Sequence, residues 1–340
     1  MICSKSRFIS IAALFLLAYP WKSAEALSRE KPDTVTFIQI TDTHYSNLTG
    51  YHPVFVRERI WFSRSAGLLS GFLKTVPEKH DADFIVVTGD NIDFYEAETT
   101  TGSMLGTQIE QYSEFIGNNG IPIYLVLGNH DLTSYRVTSD SNTTNNQLKA
   151  GKARSIWMRN FDCFREGTYY SRTFKVDTVD FRLIFLDNSY YATQEVSDGV
   201  MQFVMDPYQL LWLNNELQAS PDDVELIFMH MPLPFAKASD KDIPVEQLSE
   251  YTSKSKYYTL LNVLDSNKAY ARIIFAGHRH FNSINNYTLR DGGTITQVMT
   301  GALSYDPGAW RIVKLTADKV IISYPGNPEA EYVIPTGKRP

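Results

Sequence analysis

Short apolar runs, rich in β-branched and aromatic residues, recur along the chain and alternate with segments of helical pattern. A continuous apolar run predicts a strand buried on both faces, because a strand with one solvated face would alternate apolar and polar residues. The runs expected to form strands are Val35–Ile40, Phe84–Thr88, Ile123–Leu127, Leu183–Leu186, Val224–Met229, Ile273–Ala276, Thr294–Met299, Ile312–Leu315 and Val320–Ser323.

Four segments between these runs carry helix signals. In one of them, Asp206 is a candidate cap and Pro207 follows at the first helical position. The predicted helices are Phe55–Thr75 (bounded by Pro53 and Pro77), Gln108–Ile116, Tyr208–Leu217 and Tyr257–Leu264. This alternation predicts an α/β fold, and the buried strands alone favour a single doubly wound sheet. The polar segment 133–150 predicts a long loop, and residues 32–335 are expected to form one domain.

The first residues have the pattern of a secretory signal peptide. Lys5 and Arg7 precede the apolar run Phe8–Ala18, and small residues follow in Ala24-Glu25-Ala26. The apolar run is short for a bilayer span, which needs about 20 residues. We therefore expect residues 1–26 to be removed and the mature chain, which has no candidate membrane span, to be secreted or periplasmic. An uncleaved anchor or a buried helix is the alternative.

The composition fits a globular protein with a sizeable core. The chain has 340 residues, of which 43% are hydrophobic, and its formal net charge is −6. There is no basic block, so an extended nucleic-acid surface is not expected. The two cysteines are Cys3 and Cys163. Because Cys3 would leave with the signal peptide, no intrachain disulfide is expected.

Histidine, aspartate and asparagine directly follow five of the predicted strands, and five of the seven histidines lie there. The motifs are Asp42-Thr43-His44, Gly89-Asp90-Asn91-Ile92-Asp93, Gly128-Asn129-His130-Asp131, His230 and Gly277-His278-Arg279-His280. Residues at the carboxyl ends of buried strands converge in one crevice, so these side chains are expected to share a site. Carboxylate, amide and imidazole groups suit a pair of transition-metal ions, which indicates a dinuclear metal hydrolase.

The five motifs resemble, in order, those of the calcineurin-like metallophosphoesterases, and they span residues 42–280. The resemblance implies a β-sandwich of two mixed sheets flanked by helices, of the α/β or α+β class, rather than a single doubly wound sheet. It places a dinuclear metal site at the carboxyl ends of the strands. The implied reaction is hydrolysis of a phosphoester by a hydroxide that bridges two divalent or trivalent ions.

The resemblance also implies a role for each motif residue. Carried over by position, the ligands of one ion would be Asp42, His44, Asp90 and His280, and those of the other would be Asp90, Asn129, His230 and His278. Asp90 would thus bridge the two ions. His130 would give a proton to the leaving group, with Asp93 orienting it and raising its charged population. The ions stay open among Mn, Fe, Zn, Co and Ni.

Three positions narrow the subclass within the family. Purple acid phosphatases have Tyr where Asp93 stands and lack the histidine of position His44, so we expect no charge-transfer colour. The protein phosphatases have Arg where Phe94 stands, which argues against phosphoprotein substrates. The motifs are most similar to the cyclic-nucleotide phosphodiesterase and general phosphoesterase branch, so the expected substrate is a small phosphodiester or phosphomonoester.

Two other functions remain open: a broad-specificity secreted phosphomonoesterase, and a metal-bound scaffold or interaction protein on the same fold. Taken alone, a residue such as His230 at a strand end is more often a turn or solvated residue than a ligand. The aromatic residues Tyr45, Tyr51, Phe55, Trp61 and Phe62 are expected to form core more than to stack on a substrate. Segment Tyr305–Trp310 is a candidate for the pocket rim.

Overall fold

The computed structural model describes residues 33–146, 149–189, 205–233, 242–244, 257–267, 272–325 and 327–337. From Lys31 to Pro340 the chain forms one compact unit. The predicted signal peptide lies outside the described residues. Within the described ranges, no helix has the length and apolar character to cross a membrane, and Cys163 has a free thiol.

The first sheet has six strands and carries the first three motifs. In spatial order its strands are β17 (Asn327–Pro335), β16 (Lys319–Tyr324), β15 (Arg311–Leu315), β1 (Val35–Ile40), β2 (Phe84–Thr88) and β5 (Ile123–Val126). Strands β1, β2 and β5 are parallel to one another, whereas β15 is antiparallel to β1. The parallel strands therefore end at the same edge, where Asp42, Asp90 and Asn129 follow them.

The second sheet has seven strands and carries the last two motifs. Its order is β11 (Asp242–Pro244), β13 (Ser283–Thr288), β14 (Thr294–Met299), β12 (Arg272–Ala276), β10 (Val224–Phe228), β9 (Val179–Phe185) and β8 (Tyr170–Val176). Strands β9, β10, β12 and β14 run parallel. Strand β8 is antiparallel to β9, and β13 is antiparallel to β14 but parallel to β11. His230 follows β10 and His278 follows β12.

The two sheets pack face to face through aromatic side chains. The ring of Phe37 on β1 lies 5.1 Å from Phe84 in its own sheet and 5.7 Å from Phe228 and 5.9 Å from Phe275 in the other. All four rings are buried in one hydrophobic cluster that includes both sheets. The β-sandwich of two mixed sheets is confirmed, and the single doubly wound sheet favoured by the strand pattern alone is wrong.

The predicted helix Phe55–Thr75 is divided into three pieces. They are α1 (Pro53–Arg59), a 3₁₀ helix (Ile60–Arg64) and α2 (Ser65–Lys79), which continues through Pro77. At the break, the hydroxyl of Ser65 is 2.6 Å from the carbonyl oxygens of both His44 and Phe62. The ring of Phe62 stacks on the ring of His44, 4.4 Å away. These contacts with the first motif override the local helix preference.

The other predicted helices agree with the structure. They are α3 (Gln108–Gly117), α5 (Pro207–Ala219) and α6 (Tyr257–Ser266), and α4 (Ala150–Asn160) is additional. The carboxylate of Asp206 accepts from the backbone N–H of Tyr208 at 2.8 Å, so the predicted cap is confirmed.

The predicted long loop at 133–150 is wrong. It contains the strands β6 (Ser134–Val137) and β7 (Thr143–Asn146), which form an antiparallel hairpin, and the start of α4. With β3 (Glu96–Glu98) and β4 (Met104–Leu105) this hairpin makes a small third sheet. Most residues of the hairpin strands are polar, although among their described side chains only Arg136 and Thr144 are exposed and Ser134 is buried. Hydrophobicity therefore gave no strand signal, while backbone pairing still forms the sheet.

Candidate metal centre

The loops that follow β1, β2, β5, β10 and β12 meet at one end of the sandwich. The backbone N–H groups of Asp42 and His44 donate to the carbonyls of Gly89 and Asp90, at 3.0 and 2.9 Å. Within the second sheet, the N–H of Gly277 donates to the carbonyl of His230 at 3.1 Å. Between the two sheets, the N–H of His278 donates to the carboxylate of Asp42 at 2.9 Å. Side chains 238 positions apart, such as Asp42 and His280, thereby come into contact.

At this end of the sandwich, several residues have backbone dihedral angles in the left-handed region, which is unfavourable for residues other than glycine. Eight non-glycine residues in the described ranges have positive φ, and five of them are motif residues: Asp42, His44, Asp90, His278 and His280, with φ of 50°, 42°, 49°, 67° and 57°. An L-residue in the left-handed region costs about 1–2 kcal/mol. Such outliers persist only where the surrounding structure enforces them, and they concentrate at functional sites.

The motif glycines are required by close approach of the loops. A β-carbon on Gly128 would lie closer than 3.0 Å to the backbone nitrogen and carboxylate of Asp90. One on Gly277 would overlap Thr41 and the carboxylate of Asp42, and one on Gly89 would overlap the ring of His230. Gly89 also has a φ of +91°. Larger residues at these positions would push the polar side chains apart.

The first group of candidate ligands surrounds Asp42. Oδ1 of Asp42 is 3.0 Å from Nε2 of His280 and 3.9 Å from Nε2 of His44. Its other oxygen accepts from the hydroxyl of Thr41 at 2.7 Å and from the N–H of His278 at 2.9 Å. Oδ2 of Asp90 lies 3.7 Å from Nε2 of His44. One carboxylate oxygen of Asp42 is thus fixed by hydrogen bonds, and the other faces two imidazoles.

The second group surrounds Asp90 and Asn129. Nε2 of His230 is 3.2 Å from Oδ2 of Asp90 and 3.2 Å from Oδ1 of Asn129. Nδ1 of His278 lies 3.1 Å from the same amide oxygen. Oδ1 of Asp90 accepts from the N–H of His130 at 2.8 Å, which leaves Oδ2 facing both histidine groups. Asp90 therefore lies between the two sets of side chains.

The chemistry of these atoms fits metal ions. Nδ1 of His230 is 2.8 Å from the carbonyl of Thr88, to which it donates, so in the neutral ring Nε2 carries no proton. Nε2 then faces two oxygen acceptors, an arrangement that needs a cation. Nε2 of His44 is buried without any hydrogen-bond partner. Three sets of His and Asp ligand atoms each lie within 4.8 Å of one another, and together they include Asp42, His44, Asp90, His130, His230, His278 and His280.

The protonation preferences of the site agree with a demand for positive charge. Burial alone would raise the pKa of Asp90, but His230 and His130 outweigh it and hold the pKa well below its usual value. Burial alone would lower the pKa of His230, but Asp90 raises it to about 9. Burial and the neighbouring His230 lower the pKa of His278 to about 4, which keeps this imidazole in the neutral form that binds metals.

His130 and Asp93 are adjacent, but the expected pairing is altered. Nδ1 of His130 is 2.8 Å from the backbone carbonyl of Asp93 and 3.6 Å from its carboxylate. Burial lowers the pKa of His130, and His44 and Arg59 add to this, whereas Asp90 and Asp93 raise it, as expected for Asp93; the net shift favours the neutral ring. Instead, the Asp93 carboxylate binds Arg59 and lies 3.5 Å from Nδ1 of His44.

Two residues near the site were missed by the sequence analysis. Arg59, at the end of α1, reaches Asp93, and Asn188, after β9, accepts from the backbone N–H groups of His230 and Met231 at 3.0 and 3.1 Å. Neither residue belongs to a motif or has a characteristic spacing from one. The sequence gives only a weak indication of Asn188, because it lies just after an apolar run, as the motif residues do.

The aromatic residues near the first motif mostly belong to the core, as expected. Tyr45, Tyr51, Phe55 and Phe62 are buried, whereas Trp61 is 76% exposed. On the rim, Tyr305 is half-exposed, and its ring lies 5.3 Å from the ring of His280. Its segment is attached to the site, because the N–H of Ser304 donates to the carbonyl of Asp42 at 3.2 Å.

Known proteins share this fold. The sequence profile described as calcineurin-like phosphoesterase matches residues 35–282. The structure of PhoD superposes with a TM-score of 0.56 at 12% identity, over 90% of this chain and 70% of that one. GAP50, described as the anchor in the inner membrane complex of Plasmodium, gives 0.53 at 13% identity, over 90% of each chain.

A plant enzyme is also similar. Purple acid phosphatase PPD1 from yellow lupin (Lupinus luteus) seeds gives a TM-score of 0.50 at 13% identity, over 90% of this chain and 54% of that one. A comparison with curated protein sequences finds no match. At such identities the structural likeness concerns the fold alone.

Proposed function

The chain belongs to the calcineurin-like phosphoesterase family, and from this premise we propose that it hydrolyses a small phosphodiester or phosphomonoester at a dinuclear metal centre. The observation that carries the proposal is the convergence of Asp and His ligand atoms from both sheets around Asp90. An unpartnered, buried Nε2 on His44 supports it. A metal-bound scaffold would share these ligands but would have no use for the additional pair of His130 and Asp93, whose Nδ1 and backbone carbonyl lie 2.8 Å apart.

The side chains divide into two sets that share Asp90. Asp42, His44, Asp90 and His280 would hold one ion, and Asp90, Asn129, His230 and His278 the other. Two ions of this kind neutralise charge on the phosphoryl oxygens and lower the pKa of water. The metal stays open among Mn, Fe, Zn, Co and Ni, because mixed nitrogen and oxygen ligands suit all of them.

His130 is the proposed proton donor to the leaving group. Its Nδ1 is occupied by the Asp93 carbonyl at 2.8 Å, which leaves Nε2 as the atom that can face a substrate. Burial lowers the pKa of His130, and a lower pKa makes the charged ring a stronger acid. The protonated ring would donate through Nε2 to the departing oxygen.

Metal-dependent hydrolysis of p-nitrophenyl substrates tests the proposal. The protein, stripped of metal and reloaded with Mn²⁺, is assayed with bis-(p-nitrophenyl) phosphate and with p-nitrophenyl phosphate, and Asp90→Asn is the matched control. We expect metal-dependent turnover by the wild type and little by the variant, because one carboxylate serves both ions. Diester cleavage supports a phosphodiesterase, and preference for the monoester supports a broad phosphomonoesterase. Two bound metals without turnover of either substrate would contradict hydrolysis and favour a scaffold.

Export is part of the proposal. The basic start, apolar run and small residues of positions 1–26 support a signal peptide. Expression of the full chain in a secreting host, followed by amino-terminal sequencing, should give a mature chain that begins at Leu27. Retention of the intact amino terminus in the cell would contradict export.

A further inference from the structure

Arg59 is fixed beside the metal centre by an ion pair and two aromatic rings. Its Nε donates to Oδ2 of Asp93 at 3.0 Å, and its Nη2 donates to Oδ1 of the same carboxylate. The guanidinium carbon lies 4.9 Å from the ring centre of Phe62 and 5.4 Å from that of Tyr135. The Asp93 side chain is fully buried and that of Arg59 is 17% exposed. A guanidinium held in this way has little freedom to turn.

Asp93 connects Arg59 to two histidines of the site. Oδ1 of Asp93 is 3.5 Å from Nδ1 of His44, whose Nε2 faces Asp42 and Asp90. The backbone carbonyl of Asp93 is 2.8 Å from Nδ1 of His130. Asp93 thus faces the ring of a candidate ligand with its carboxylate, in a charge contact rather than a hydrogen bond, and accepts from the candidate proton donor with its carbonyl.

The ion pair explains why His130 binds the carbonyl rather than the carboxylate. Both carboxylate oxygens of Asp93 accept from Arg59, and Nη2 of Arg59 lies 3.3 Å from Nδ1 of His130. The guanidinium thus lies beside both groups and occupies the carboxylate oxygens as a donor. Without it, the carboxylate would be a charged acceptor 3.6 Å from Nδ1 and would compete with the carbonyl for the ring.

We propose that Arg59 is a positioning residue for the hydrolytic reaction, acting through Asp93 on the ring orientations of His44 and His130. The inference rests on the function proposed above. Arg59 satisfies the buried Asp93 carboxylate, keeps His130 on the carbonyl with Nε2 free for the leaving group, and holds the outer partner of His44. Lysine cannot replace it, because a single ammonium does not match both carboxylate oxygens at once.

Leaving-group dependence separates positioning from a general structural role. Arg59→Met, Arg59→Lys and the control Arg57→Met are compared on phosphoesters with p-nitrophenyl and with alkyl leaving groups. Arg57 lies on the same helix and is exposed. We expect Arg59→Met to lower kcat for the alkyl ester by about 10–100-fold. This is the usual effect of losing a residue that orients metal ligands without touching the metal. The p-nitrophenyl ester, whose leaving group needs no proton, should lose less, and Arg59→Lys should lie between.

Two kinetic results would overturn the proposal. An equal loss of kcat for both leaving groups, with lower thermal stability, would indicate a merely structural residue. A rise in KM with unchanged kcat would indicate that Arg59 contacts substrate instead. A double-variant comparison adds a further criterion, because Arg59→Met should add little to Asp93→Asn if Arg59 acts through Asp93.

A measurement without metal or substrate makes the test independent of activity. The ¹⁵N resonances of the histidine rings report which nitrogen carries the proton, and His130→Ala identifies the His130 signals. In the metal-free wild type we expect the His130 ring to carry a proton on Nδ1, which donates to the Asp93 carbonyl. Arg59→Met should shift these signals and Arg57→Met should not. Unchanged His130 signals in Arg59→Met would overturn the coupling between Arg59 and His130. If the signals shift in Arg59→Met but the wild-type protein hydrolyses no phosphoester, only the proposed function is contradicted.

Discussion

At the residue scale, the approach of the loops depends on glycines that have no room for a side chain. We expect Gly128→Ala to lose metal binding, because the new β-carbon would overlap the nitrogen and carboxylate of Asp90. Gly151→Ala is the matched control. Gly151 lies in helix α4 with no atom within 4 Å of an added β-carbon, and alanine there stabilises a helix by about 0.5–1 kcal/mol. Atomic emission measures the metal bound by each variant. Full occupancy of the metal sites in Gly128→Ala would contradict the steric argument.

His130 has a separate, testable role. His130→Ala should keep both metals, because the predicted ligand sets do not include it. Turnover of substrates with poor leaving groups should fall by about 10²–10⁴-fold, the usual range for general acid–base catalysis. Metal content and kcat measured on the same sample check both statements. Unchanged turnover of an alkyl ester would remove His130 from the mechanism.

The sequence predicted which side chains would meet at the site. It did not predict the backbone conformation or the neighbouring residues that hold those side chains in place. The motif residues follow buried parallel strands, and parallel strands end at the same edge of a sheet. Their convergence could therefore be predicted. The left-handed backbone at Asp42 and His280 is not encoded locally, since neither residue prefers it, and it arises only when the loops bond to each other. Arg59 is separated from Asp93 by 34 positions, and only the break after α1 brings the two together.

At the element scale, strands were more predictable than helices and hairpins. A buried parallel strand such as Val35–Ile40 must be apolar throughout, so its sequence marks its limits. The break after α1 is caused by contacts of Ser65 and Phe62 with the first motif, which are tertiary. The hairpin of β6 and β7 forms on polar residues through backbone pairing. Hydrophobic periodicity carries no information about either.

A buried ion pair links neighbouring strands β10 and β12. Nε of Arg272 is 2.5 Å from Oε2 of Glu225, and both side chains are at most 1% exposed. Arg272→Met should lower the free energy of unfolding by about 3–5 kcal/mol, because it leaves a carboxylate buried without its partner. The double variant Glu225→Leu/Arg272→Met should lose less. Urea denaturation measures the free energy of unfolding of each variant, with Glu225→Leu as the second single variant. If the loss in the double variant equalled the sum of the losses in the two single variants, the pairing would be contradicted.

At the scale of the whole molecule, the candidate metal centre is built from both sheets. Asp42, Asp90 and Asn129 come from the first sheet, whereas His230, His278 and His280 come from the second. Ions bound here should stabilise the folded state by about 2.7 kcal/mol at a hundredfold excess over Kd. Chelation should therefore lower Tm by several degrees. The Asp90→Asn variant is the control, and an equal response of its Tm to metal would contradict binding at this centre.

The fold also extends beyond the residues matched by the family profile. The profile ends at 282, yet β15 pairs with β1 from Val35 to Gln39. The N–H groups of Leu303 and Ser304 donate to the carbonyls of Thr41 and Asp42, at 3.1 and 3.2 Å. The carboxyl-terminal strands therefore complete the first sheet and hold the first motif in place.

The left-handed backbone at the ligand positions has an evolutionary consequence. Asp42, His44, Asp90, His278 and His280 occupy conformations that glycine or asparagine adopt at lower cost. If selection for metal binding keeps them there, a lineage released from that selection would be free to relieve this strain. His280→Gly removes about 1 kcal/mol of backbone strain but also the contact between its ring and the buried Asp42 carboxylate. Its Tm should therefore fall more in saturating metal than without metal, and thermal denaturation in both states measures the difference. In a descendant that no longer binds metal, the strained positions would be open to glycine or asparagine, and the loss of ligands there would be partly compensated by the relaxed backbone.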